Sequence, residues 1–225
     1  MPRYRVAVAT VVLLLAPAAF AQNTPPAAAD QSAQPAVAHV DGFRSAHWGM
    51  TDAEVKDAIH KDFNIGADKI KSEDNLAERT TALTVTVPDL LEGAGAAHVS
   101  YILGYSSKKL IQVNVLWGNA VDPQASAERV VAGANELRQL FLDAGYQPDT
   151  VTTNVKLPDG SILVFKGQDA DKHTTLLRLQ AGTVTPSAPA QGGEAAKPVE
   201  ATALSLSYVL DAANPDIYRL KKGSF

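Results

Sequence analysis

The sequence predicts an α+β fold: two blocks, each a helix followed by antiparallel strands, forming a meandering antiparallel sheet with the helices on one face. Three observations point there. Apolar residues recur at spacings of three and four in only two stretches of the mature chain. They alternate with polar residues in several others. Nowhere do they fall into the strand–helix–strand rhythm that builds a parallel sheet with a nucleotide crevice.

In the first block, residues 51–63 place Val55, Ala58, Ile59 and Phe63 on one helical stripe. Strands follow over 80–87, where Leu83, Val85 and Val87 alternate with threonines until Pro88, and over 98–105 and 110–117, joined as a hairpin by the turn "SSKK". In the second block, Asp122-Pro123 reads as a helix start, an acceptor side chain at the cap and a proline at the first helical position. Val130, Ala134, Leu137, Phe141 and Ala144 then form its stripe, which ends at Gly145. Four strands are expected over 150–157, 161–166, 173–180 and 201–210, turned by "PDG" and "GQDADK". The run 183–200 between the last two is poor in aromatic and branched apolar residues and reads as a disordered loop.

Upstream of this domain, Arg3 and Arg5 precede an apolar run, 6–16, that ends in Pro17 and the small-residue exit Ala19-Phe20-Ala21. That pattern is a secretory signal peptide with cleavage after Ala21; the run is too short for a spanning helix. Residues 22–40, rich in Pro, Ala and Gln, read as a disordered spacer. The structured part is therefore 41–225, one domain whose blocks are 41–120 and 121–225, without a membrane span in the mature form. The chain has no cysteine, which excludes disulfides, thiol catalysis and lipidation of a mature N-terminal cysteine. Losing Arg3 and Arg5 takes the formal net charge from −4 to −6. Such a balance offers no footprint for nucleic acid or anionic lipid.

The run "FRSAHWGMTDAEV", residues 43–55, is the densest signature in the chain. Thr51 and Glu54 have the spacing of a capping box, Met50 and Val55 that of a hydrophobic staple, and Gly49 allows the bend. Phe43 and Trp48 are large bodies suited to pinning the entering chain on the sheet. Arg44 and His47 are left over. They mark either the rim of a ligand groove, with Trp48, or heads that face solvent or bond loop carbonyls. His60 falls on the polar side of the helix.

The same run resembles the F-R-x-x-x-W-G-M-[ST]-x-x-E-V opening of uncharacterised exported proteobacterial proteins, and "YILGYSSKKLIQVNVLWG" resembles the hairpin that follows it there. More loosely, helix entry at G-M-T-x-x-E-V followed by strands is similar to the small outer-membrane assembly lipoproteins and to the tandem β-lactamase-inhibitor fold. Both are helix-plus-sheet units that bind other proteins. This chain departs from them in lacking a lipidation cysteine and in an extra strand in its second block, and none of their partner-contact residues maps onto it by motif.

No G-x-S-x-G, H-E-x-x-H, Walker loop or S-x-x-K occurs, and no cofactor is implied. The polar cluster Asp169, Asp171 and His173 alternates at a strand entrance, where it could ligate a metal or serve as an acid/base pair; turn chemistry accounts for it more simply. Asp211, Asn214 and Asp216 share that ambiguity. The chain thus reads as a soluble, exported, non-catalytic cell-envelope module binding a protein or wall component, located in the periplasm or secreted. The alternative is a periplasmic hydrolase or metal-dependent enzyme with dispersed site residues.

Overall fold

The structure, a computed structural model, describes residues 37–184, 199–220 and 223. Two helices and an eight-stranded antiparallel sheet form the body, with a two-stranded hairpin at its entrance: β1 (Gly42–Phe43), β2 (Ala46–His47), α1 (Asp52–Phe63), β3 (Lys71–Asn75), β4 (Thr80–Val87), β5 (Ala97–Leu103), β6 (Leu110–Gly118), α2 (Ala127–Asp143), β7 (Thr152–Lys156), β8 (Ile162–Gln168), β9 (Thr174–Val184) and β10 (Val199–Val209). The fold is α+β, as expected. Strand order in the large sheet is β3-β4-β5-β6-β10-β9-β8-β7, so each block is a four-stranded meander and the two meet along their last strands.

Alternation along the strands separates the two faces of this sheet. The cross-strand row Val85, Val99, Val115, Leu206, Leu177 and Phe165 is aligned by register, and each member is at most 3% exposed. Val55, Ala58 and Ile59 of α1 and Val130, Ala134 and Phe141 of α2 pack into the same core. One residue along, the row Lys71, Thr84, Ser100, Asn114, Ser207, Leu176, Lys166 and Thr152 crosses all eight strands, and none of its members is buried. Period-two side-chain geometry makes these opposite faces. The helices cover one, and the row on the other is half-buried or exposed along its whole length.

The structure corrects four sequence readings. The first block has four strands because β3, "KSEDN", adds an edge strand whose residues are all exposed; having no buried face, it carries no alternation to read. The supposed extra strand of the second block is therefore matched. Helix α2 is capped by Ser126, whose hydroxyl accepts from Arg129 N–H, rather than started by Asp122-Pro123. Asp122 instead accepts from the N–H groups of Gln124 and Ala96, holding a turn. The body begins before residue 41: Ala38 and Val40 are buried, and Ala38 N–H donates to the Gly145 carbonyl. Finally, β9 and β10 pair as far as Val184 and Val199, so residues 183, 184, 199 and 200 of the expected loop are in the sheet. The remainder of that loop, 185–198, lies outside the described residues, as do the expected leader and residues 22–36 of the spacer. Among the described residues no helix is long and apolar enough to cross a membrane.

Candidate functional site

The two polar clusters marked in the sequence meet at one corner of the domain. Hairpin β1–β2 and the turn between β8 and β9 are brought together there by Asp169. The residue is 1% exposed, and its carboxylate meets four donors. Oδ1 takes the N–H groups of Asp171 and His173 at 3.0 and 2.8 Å; Oδ2 takes Val40 N–H at 2.8 Å and faces His173 Nδ1 at 3.0 Å. With two acceptor sites per oxygen, the group is saturated. A carboxylate can be buried this way only because its charge is met from every side. Asp169 therefore ties the β8–β9 turn to the incoming chain across 129 positions of sequence.

Trp48 completes the corner. Its indole N–H donates to the Val40 carbonyl at 2.7 Å, and its ring lies against the His173 imidazole, centroids 6.1 Å apart. The predicted binding residue Trp48 and the predicted metal residues Asp169 and His173 are thus one packed unit. Of the other two polar residues of the opening run, His47 stays at the exposed rim of this corner and Arg44 points elsewhere. His47 Nδ1 lies 3.1 Å from Asp41 on the surface. Arg44 sits at the first central position of the β1–β2 turn with φ +55°, a conformation common for Gly and Asn, and its guanidinium stacks on Phe63 at 4.9 Å. It borders two open grooves. The larger, about 420 Å³, runs between hairpin β1–β2 and α2 and is lined by Phe43, Leu140, Phe141 and Tyr208. Burial drives the Tyr208 hydroxyl well above the ordinary tyrosine value.

The rest of the opening run is architecture. Glu54 Oε2 accepts both the backbone N–H and the hydroxyl of Thr51 at 2.8 Å, the tight half of the expected capping box. The Thr51 N–H bond, together with the hydroxyl bond, holds the Glu54 carboxyl below its usual value. The third polar set is likewise structural. Asp211 accepts from the N–H groups of Ala213 and Asn214, and Asp216 from those of Ser106 and Ser107 in the β5–β6 loop.

The trio with ligand atoms close enough to share a cation is His39, Asp169 and Asp171, all within 4.8 Å of one another. His39 thus stands where the sequence placed His173, whose Nδ1 faces Asp169. Asp171 faces His39 Nδ1 at 3.9 Å, and His39 Nε2 lies 3.9 Å from Asp41. A cation at the trio would have to compete with the four donors already on Asp169. The dyad of Asp169 and His173 has the form of an orienting acid beside a base. Its imidazole, however, is 15% exposed and lies against Trp48.

Sequence reading missed His39 as a member of this corner by assigning residues 22–40 to a spacer, and it did not single out Asp41, the first residue of the expected domain. The alternation of Ala38 and Val40, both buried, was the available signal. No family model matches the chain, and no curated protein or solved structure matches it either.

Proposed function

We propose that the chain is an exported, non-catalytic cell-envelope module that binds a protein or wall component across the open face of its sheet. One observation carries this reading: a cross-strand row of eight residues, six of them neutral and none of them buried. The row's hydroxyl and amide groups are the equipment for recognising a folded surface or a glycan. Some already bond within the face, as Thr84 with Ser100 at 2.8 Å and Gln112 with Asn114 at 2.8 Å, which fixes their rotamers before a partner arrives. Two helix-plus-meander halves joined in tandem are also what the loose resemblance to protein-binding helix-and-sheet units implies. Export rests on the leader-like N-terminus.

The test is a photocrosslinking residue at Asn114 in the centre of the face, with a second at exposed Glu136 on α2 as control, expressed in a cell that exports the chain. A crosslinked envelope species at 114 and not at 136 is expected, together with an intact mass beginning at Gln22. Equal labelling at both positions, or none at 114, would remove the open face as the binding surface. The metal-dependent alternative has the His39, Asp169 and Asp171 trio in its favour. Stoichiometric transition metal in the purified mature protein would establish it.

A further inference from the structure

At the loop end of β3–β6, three segments distant in sequence meet. The C-terminal segment is tied there by Tyr105 N–H to the Asp216 carbonyl at 2.8 Å and by Tyr218 N–H to the Glu78 carbonyl at 2.8 Å. These bonds place Tyr105 and Tyr218 edge to face, centroids 5.5 Å apart. Two cations converge on the pair. The Arg79 guanidinium lies 3.7 Å from the centre of the Tyr218 ring and 5.8 Å from that of Tyr105; the Lys108 ammonium lies 5.7 Å from Tyr105. Each comes from the tip of a different hairpin loop and has φ +55°. The ion pairs that lysine and arginine make among the described residues belong to Lys56, Lys69, Lys71 and Arg178, so neither Arg79 nor Lys108 has a carboxylate partner there. Both border a cavity of about 340 Å³.

We propose that this cavity binds a phosphomonoester dianion held between Arg79 and Lys108. Two positive charges around one aromatic pair match a doubly charged group; a single carboxylate would satisfy one and leave the other unpaired. Stacking uses the face of the guanidinium and leaves its N–H edge free for the bidentate contact that phosphate oxygens accept, while Lys108 supplies a point charge from the other loop. The tyrosine faces hold the cations in place before the ligand arrives. Asp74, the one carboxylate bordering the cavity among the described residues, accepts the Thr81 hydroxyl at 2.8 Å. The site is independent of the open sheet face and stands or falls without it.

The experiment is calorimetric titration of the full mature chain at pH 8 with inorganic phosphate, and in a second arm with phosphatidylcholine vesicles that do or do not contain phosphatidic acid. Each cation would make charge-assisted bonds to the dianion, so Arg79→Gln and Lys108→Gln should each weaken binding by roughly tenfold or more. Both side chains are exposed, and unchanged melting of the variants checks that the fold is kept. Phosphate binding that the variants weaken assigns the site to a soluble phosphomonoester. Binding confined to phosphatidic-acid vesicles, with the same sensitivity to the variants, assigns it to a lipid-borne one. A parent chain that binds neither, or variants that bind as the parent does, overturns the proposal.

Discussion

Replacing Asp169 by Asn keeps the shape of the side chain and removes the reason it can be buried. The amide retains one acceptor oxygen, so two of the four bonds survive in weaker, neutral form. Its NH₂ end then faces donors. If the oxygen stays with the N–H groups of Asp171 and His173, the NH₂ confronts Val40 N–H and His173 Nδ1. The imidazole can change tautomer and accept, but a backbone N–H cannot, so Val40 N–H is orphaned in a buried place. A lost charge-assisted bond and an unsatisfied buried donor together cost about 3 kcal/mol. A domain of this size loses about 2–4 °C of melting temperature per kcal/mol, so the drop should be about 6–12 °C.

Asp171→Asn, two residues along and 64% exposed, is the control and should move melting by less than about 2 °C. Thermal melts followed by circular dichroism measure both. Amide exchange adds a local readout, because Val40, Asp171 and His173 should lose protection together in Asp169→Asn while the β5–β6 hairpin keeps its own. An Asp169→Asn variant that melts within about 2 °C of the parent would refute the four-bond account of Asp169.

Trp48→Ala removes a half-buried ring and its bond to Val40, for a loss of roughly 2–3 kcal/mol at the lower edge of aromatic truncations. Thr51→Ala loses roughly 1 kcal/mol of capping, so denaturant melts should rank the two in that order. Burial raises the hydroxyls of Tyr101, Tyr146 and Tyr208 above the ordinary tyrosine value. The folded state thus holds these protons more tightly than the unfolded one: their contribution is fully present below about pH 10 and lost as pH climbs toward their folded values. Ultraviolet titration should show these three ionising above the range of a free tyrosine. At Asp216, partial burial opposes ionisation, but the hydrogen bonds from Ser107 and Ser106 outweigh it and lower the carboxyl. Its contribution is therefore present above about pH 4 and lost on acidification through the folded value; the amide shifts of Ser106 and Ser107 should report that release, and Asp216→Asn should abolish it. Replacing residues 185–198 by Asn-Gly should leave melting unchanged or slightly raised, since Val184 and Val199 are already paired and a shorter loop closes more cheaply. A melting temperature lowered by more than a few degrees would mean that the replaced segment packs on the body.

What could be read from the sequence is what the covered face imposes. Val85, Val99, Val115, Leu206 and Leu177 each fall on a strict period of two because one side of each strand is dry, and Val55, Ala58 and Ile59 on a helical period for the same reason. Strand β3 is invisible to such reading because an edge strand with every side chain exposed has no such constraint. The start of α2 misleads for a different reason. Asp122-Pro123 has the chemistry of a cap, but the Asp122 carboxylate finds backbone donors in its own turn and at Ala96, and Ser126, one turn further along the chain, takes the capping role. Propensity decides which groups want a partner and leaves open which partner wins.

The corner around Asp169 shows the same limit at the level of a site. Alternation placed Asp169, Asp171 and His173 in one turn, and the aromatic-rich opening placed Arg44, His47 and Trp48 in another, so both halves were legible. Their meeting was not, because it is decided by a single carboxylate reaching Val40 over 129 positions, and no local pattern encodes which distant N–H a buried acid will take. Once that bond is made, the roles separate. Asp169 and His173 are fixed against Trp48, while Arg44, stacked on Phe63, is turned toward the two grooves. Arg44→Ala should therefore leave the corner folded and alter only what those grooves can hold, whereas any change at Asp169 disturbs the entering chain before it reaches a ligand.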